Sequence, residues 1–268
     1  MTSVPENPTP PTPPMPSGPP PALLLLRLHK AFGTKVAVND LSLQVPQGSM
    51  FGLVGPNGAG KTTTLSMATG LLRPDFGQAV ILGHDVWADP PGAKALIGVL
   101  PDALRTFDRL TGLELLSMVG QLRGLDKATT QARAENLLAV LDLQRDARTL
   151  VVDYSAGMTK KIGLACALIH APRLLLLDEP FESVDPVSGQ AIRGILHDFV
   201  RGGGTVVLSS HVMELVESLC DALAIVADGR ILAAGTLEDV RAGMSLQDRF
   251  VQLVGGPAVT GGLSWLRS

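Results

Sequence analysis

The chain has 268 residues, 46% of them hydrophobic, enough for one large domain or two small ones with a core that needs no covalent staples. Its formal net charge of −3 argues against an electrostatic grip on nucleic acid. No apolar run approaches the roughly 18 residues needed to cross a bilayer, and the two cysteines, Cys166 and Cys220, sit in apolar, helical-looking stretches and read as buried reduced thiols of a cytosolic protein.

Residues 1–21 hold 10 of the 20 prolines and a single charge, Glu6. Such a segment buries too little apolar surface to offset its ordering entropy, so a disordered, polyproline-like tail is expected. It also lacks the basic start and long apolar stretch of a secretory signal. From Ala22 the pattern becomes globular. "LLLLRLHKAFG" and "VNDLSLQVPQG" read as strands of a small antiparallel sheet, "SMFGLVG" as a buried strand, and "KTTTLSMATGLL" as a helix. "QAVILGHDV" and "ALIGVLPD" read as two further strands. Between about 111 and 150 the period turns helical, with Leu115, Val119 and Leu122 on one face and Leu137, Leu138 and Leu141 on another. Beyond it, "RLLLLDEP", a helix from Pro186, "GTVVLSS" and a helix near Val212 alternate. "ALAIVADGRILAAG" then reads as a strand pair turning at Asp228-Gly229. Strand and helix in alternation predict an α/β fold, a mainly parallel sheet with helices on both faces.

Chemistry concentrates at the ends of the apolar runs. "GLVGPNGAGKTTTL" carries Gly55, Pro56, Asn57, Gly58, Ala59, Gly60, Lys61, Thr62 and Thr63 in the phosphate-loop pattern GxxxxGK[ST]. Its glycines let successive N–H groups face one concavity, and the following helix adds its positive end. Lys61 is expected to reach the β- and γ-phosphates of a nucleotide and the Thr62 hydroxyl to hold Mg2+. "LLLLDEP" is a strand buried on both faces and ending in two carboxylates. Asp178 is placed for Mg2+, while Glu179, pointing the other way, is placed to polarise a water for attack on the γ-phosphate. His211, ending "GTVVLSSH", is either structural or bonded to that phosphate or water. Ser155 is a good N-cap, and Gly157 permits close approach of a second phosphate group to that helix start, although taken in isolation these residues read first as an ordinary capped core helix.

In order and spacing, the phosphate loop, "DYSAGMTKKIGLACALIH", "LLLLDEP", "ESVDP" and the strand-end histidine resemble the ATP-binding subunits of ATP-binding cassette (ABC) transporters. The resemblance runs from Leu23 to about Leu237, and the aromatic Tyr154 brings the chain nearest the branch that serves ABC-2-type exporters. It implies a P-loop NTPase core with a small antiparallel β subdomain over 22–237, a helical insert at about 111–150, and a C-terminal extension over 238–268. It also implies that Phe32 stacks on adenine, where the bland alternative is a core phenylalanine. Ser155 and Gly157 then serve the γ-phosphate held by an opposite subunit, and Asp185 crosses the dimer interface.

The implied function is an exporter's ATPase, a peripheral protein on the cytoplasmic face of the cell membrane. It takes ATP and Mg2+, pairs with a second ATP-binding subunit, like or unlike, and docks on an integral membrane permease; nucleic acid is not among its partners. Three departures bear on turnover. Ala156 and Met158 replace a glycine and a glutamine of the signature, Asp102 stands where a magnesium-contacting glutamine is usual, and Glu182 and Ser183 replace smaller residues before Asp185. Asp102 is expected to hold Mg2+ while adding a negative charge beside the triphosphate. Two other functions stay open. One is a soluble cassette ATPase unconnected with transport, opposed by the single cassette and the absence of a heptad run. The other is a regulatory subunit that scarcely hydrolyses, opposed by Glu179 and His211.

Overall fold

A computed structural model describes residues 20–102, 107 and 109–255. Most of the proline-rich tail, and the last 13 residues of the extension, lie outside the described residues. Strand β1 (Leu23–Phe32) pairs antiparallel with β2 (Lys35–Val45), and β3 (Met50–Val54) leads through the glycine-rich loop into α1 (Lys61–Ala68). β4 (Phe76–Ile81) pairs with β1 on its other edge, and β5 (His84–Asp85) completes a four-stranded antiparallel sheet.

Next come α2 (Pro90–Leu96) and β6 (Ile97–Leu100), so "ALIGVLPD" is strand only from Ile97. Its first two residues finish a helix that Asp89 starts by accepting a hydrogen bond from the Gly92 N–H, with proline in the first turn. The overlooked signal is the Asp-Pro-Pro start, a cap followed by a residue that has no N–H to satisfy.

The insert holds α3 (Gly112–Leu122) and α4 (Lys127–Val140), and its ends meet where Thr111 bridges Leu150. Thr111 and Glu114 form a reciprocal capping box at the start of α3. Leu115 is buried and Val119 half-buried, but Leu122 is 76% exposed, so the expected apolar face stops short. The helix ends at Leu122, and Leu125 beyond the turn packs on the core in its place. In α4 and just after it, Leu138 and Leu141 are buried and Leu137 lies against the same core.

A short 3-10 turn, 151–153, precedes α5 (Ala156–Leu168), and Tyr154 fixes the junction: its hydroxyl donates to the Asp146 carbonyl at 2.8 Å. We expect Tyr154→Phe to cost about 1 kcal/mol of unfolding free energy in urea, the net worth of one such bond, because a half-hidden carbonyl loses its donor.

The remaining elements are β7 (Leu174–Leu177), α6 (Pro186–Arg201), β8 (Thr205–Ser210), α7 (Met213–Leu219), β9 (Ala222–Ala227), β10 (Arg230–Thr236), α8 (Leu237–Arg241) and α9 (Leu246–Val254). The larger sheet runs β10-β9-β3-β8-β7-β6, parallel except for the β9–β10 hairpin. Its strands alternate between two cores. Leu174, Leu176, Val207, Phe51 and Leu53 face the antiparallel sheet, whereas Leu175, Leu177, Val206, Leu208 and Met50 face the insert and α5–α7. Burial on both faces explains the unbroken apolar runs of β7 and β9. Val240 and Leu246 are buried in the second core, so residues 238–246 join the domain rather than extend from it. Cys220 is buried and Cys166 half-buried, neither in a disulfide, and burial pushes both thiols up to about 12. No described helix is long and apolar enough to cross a membrane.

Candidate functional site

The carboxyl ends of β3, β7 and β8 converge because these strands are neighbours in the parallel sheet. β3 delivers the phosphate loop and β7 the acidic pair, while β8 brings Ser209 and His211. The loop fits its space only with glycine at its two ends. A Cβ on Gly55 would stand 2.1 Å from the Val226 carbonyl oxygen, and one on Gly60 would stand 2.4 Å from that of Ala37. Gly60 also has φ +102 and leaves α1 without a side-chain cap, so no side chain competes for the first N–H groups of that helix.

Lys61 is folded into the site, 6% exposed. Its ammonium donates to the Gly55 carbonyl at 2.7 Å and the Pro56 carbonyl at 3.3 Å, and lies 3.5 Å from Glu179 Oε1. Asp178 accepts a hydrogen bond from the Ser209 hydroxyl, and Thr62 lines the same small cavity beside it. Burial pushes the Asp178 carboxyl above the usual range against the pull of the neighbouring hydroxyls, and the charges of Asp102 and Glu179 push the same way as burial. The Glu179 N–H donates to Ser209 Oγ at 2.9 Å, and its Oε2 meets His211 Nδ1 at 3.1 Å. The two carboxylates therefore diverge, Asp178 toward Ser209 and Glu179 toward Lys61 and His211. Asp102 lies near both, and its Oδ1 is 3.6 Å from the ammonium of Lys160.

A cavity of about 440 Å³ gathers Phe32, Asn57 to Thr63, Asp102, Glu179 and His211, the expected residues, together with Lys35 and Glu182. Phe32 is 52% exposed at its rim, with the Lys30 ammonium 5.8 Å from the ring centroid, so it is not a core residue. Ser155, Gly157 and Asp185 form a separate group. Ser155 caps α5 by accepting from the Met158 N–H at 3.3 Å. Asp185 caps α6, accepting from the N–H groups of Val187 and Ser188 at 3.0 Å each, and these bonds, Ser188's above all, hold its carboxyl below the usual range. A Cβ on Gly157 would stand 3.0 Å from Asp185 Oδ2. Ser155 and Gly157 line neither this cavity nor the adjoining one of about 760 Å³, which Asp185 shares with Glu179 and His211.

Sequence reasoning missed Ser209, Lys35 and Lys160. Ser209 had a signal, since hydroxyls at the end of a buried strand need partners. Lys160 had none, because a lysine on a helix ordinarily reads as a solvated one.

A phosphate loop at the end of a central parallel strand, with an acidic pair at the end of the next strand but one, defines a P-loop nucleotide-hydrolase domain. Residues 38–182 match the family described as "ABC transporter". The chain is 37% identical over 213 residues to a linearmycin resistance ATP-binding protein of Bacillus subtilis, covering 80% of this chain and 68% of that one. It is 37% identical over 224 residues to a doxorubicin resistance ATP-binding protein of Mycobacterium tuberculosis, covering 83% and 66%. It is 38% identical over 226 residues to a Nod factor export ATP-binding protein of Cupriavidus pinatubonensis, covering 83% and 70%. The chain thus spans about two thirds of the length of these relatives. A solved ATP-binding subunit of an ABC transporter superposes with a TM-score of 0.81 at 30% identity, covering 87% of this chain and 99% of that one. The chain belongs to the ABC transporter family, as one of its ATP-hydrolysing cassettes.

Proposed function

We propose that the chain is the ATPase subunit of an exporter. It pairs with a second ATP-binding subunit and docks through the helical insert on an integral membrane permease at the cytoplasmic face. The observation that carries this reading is Glu179, its carboxylate held between the Lys61 ammonium and His211 at the mouth of the phosphate loop. The exporter assignment draws on relatives named for drug resistance and Nod factor export.

In the chemistry proposed, water attacks the γ-phosphorus in line and the bond to the β,γ-bridging oxygen breaks. Glu179 orients that water through a lone pair, His211 fixes the carboxylate, and Lys61 offsets charge on the phosphates. The donors near Thr62 suit magnesium, being hard oxygens: the Thr62 hydroxyl and the Asp178 carboxylate, with the Asp102 carboxylate close by but facing the Lys160 ammonium. Among the described residues no group of three or more His, Cys, Asp or Glu gathers as a cation cage. Few protein ligands completed by phosphate oxygens is the arrangement Mg2+ ordinarily takes. Once bound, the ion neutralises phosphate charge; Thr62 and Asp178 are the residues that would hold it. Closure of two cassettes would bring Ser155 and Gly157 of one against the nucleotide of the other.

The test is phosphate release by the purified chain, together with its fractionation when it is expressed alone and beside its permease. MgATP-dependent release is expected, with the chain sedimenting with membranes only in the presence of the permease. Release no faster than from Lys61→Ala would overturn the ATPase assignment, and sedimentation independent of the permease would overturn the docking.

A further inference from the structure

Lys160 lies one turn beyond the start of α5, and its side chain is only 11% exposed. An ammonium withdrawn from water needs acceptors for its three N–H groups. It donates to the Glu179 carbonyl at 3.0 Å and the Asp102 carbonyl at 3.3 Å, and Asp102 Oδ1 stands 3.6 Å away as its counter-charge. Glu179 has φ +46, a left-handed backbone that a non-glycine residue keeps only when its surroundings hold it there. Ser209 holds its N–H and Lys160 its carbonyl, so the peptide units on both sides of the residue are pinned before the carboxylate meets Lys61 and His211. Lys160 is also the second cation among three carboxylates, Asp102, Asp178 and Glu179, with Lys61 the first.

We infer that Lys160 is a positioning residue for hydrolysis: it fixes the backbone from which Glu179 reaches the water, and it cancels the charge that Asp102 adds beside the nucleotide. Two separable effects follow. Loss of the carbonyl contact loosens Glu179 and slows turnover, whereas loss of the charge leaves Asp102 repelling the phosphates and weakens binding. The inference rests on Glu179 as the water-orienting residue, so Glu179→Gln accompanies the test as a reference.

The experiment measures kcat, and the affinity for a fluorescent ATP analogue with Mg2+, in full-length variants. Lys160→Met is expected to lower kcat at least about tenfold, since small misplacements of reacting groups cost that much or more. It should also weaken nucleotide binding about fivefold, the effect of one unscreened unit charge nearby. Adding Asp102→Asn should restore affinity to within about twofold of the parent while kcat stays low, because the Glu179 carbonyl still lacks its donor. A purely packing role would not give affinity rescued and turnover not.

Parental kcat and affinity in Lys160→Met would overturn the inference, as would a double variant that binds no tighter than the single one. Should Lys160→Met show no cooperative thermal transition, Asp102→Asn alone decides. With Lys160 unpaired it should bind the analogue about threefold tighter, and unchanged affinity would sink the charge argument. If Glu179→Gln turns over at the parent rate, the reading of Glu179 falls and the inference with it. If Glu179→Gln is inactive while Lys160→Met behaves as the parent, the inference alone falls.

Discussion

Glu179→Gln is expected to bind MgATP as the parent does and to hydrolyse it more than about a hundredfold more slowly, the usual worth of a positioned base. The amide keeps the side chain's shape and removes its charge. In the parent the carboxylate serves two partners, Lys61 through Oε1 and His211 through Oε2. A glutamine can keep its oxygen toward Lys61 only by turning its NH2 group toward His211 Nδ1, which must then carry no proton. The variant therefore lacks the base and also changes the tautomer of the neighbouring imidazole. Lys61, relieved of an anionic partner, has more charge to offer a phosphate, so affinity is not expected to fall. Bound ATP would persist, and with it the closed pair of cassettes. On size-exclusion chromatography the variant should run as a dimer with MgATP and as a monomer without it, and adding Ser155→Ala should weaken that dimer. A monomer that hydrolyses at the parent rate would remove Glu179 from the role of base. A monomer that binds without hydrolysing keeps the base and points to an unlike partner.

The parts of the site that were readable in the sequence are those in which one strand carries both the fold signal and the chemistry. In β7 four leucines demand burial on both faces, which fixes where Asp178 and Glu179 emerge; the β3 run does the same for the phosphate loop. What escaped depends on a second element arriving in space. Ser209 meets Asp178 because β8 lies beside β7 with Leu208 opposite Leu177, a register that no local pattern encodes. Lys160 meets Glu179 because α5 packs under the same sheet, and helical periodicity alone gives no reason to bury a lysine. Leu122 failed in the opposite direction: its spacing matched the apolar face, but the helix ended there and left it in water. Phe32, left open between a core and a ligand role, stands at the rim of the cavity because β1 ends at that residue.

Gly60→Ala is expected to cost the protein both stability and nucleotide binding, and the two losses have one origin. At φ +102 an alanine pays roughly 1–2 kcal/mol simply for its backbone. Its Cβ would also stand 2.4 Å from the Ala37 carbonyl oxygen and 3.4 Å from Gly229 Cα, backbone atoms of β2 and of the β9–β10 turn that cannot swing aside as a side chain can. The loop itself must therefore move, carrying with it the start of α1, where Lys61 and Thr62 sit. We expect a destabilisation of about 2–4 kcal/mol in urea unfolding, strain added to crowding. MgATP affinity should fall more than about a hundredfold, because a site displaced by an ångström loses most of its hydrogen bonds to the phosphates. Gly203→Ala supplies the comparison. It too has positive φ, +89, but nothing lies within 4 Å of the added methyl, and it stands between α6 and β8 outside the cavity. That variant should show the backbone cost alone, about 1–2 kcal/mol, with the affinity of the parent. Equal destabilisation of the two variants would mean that crowding at Ala37 contributes nothing. Parental affinity in Gly60→Ala would mean that the loop's backbone does not hold the phosphates.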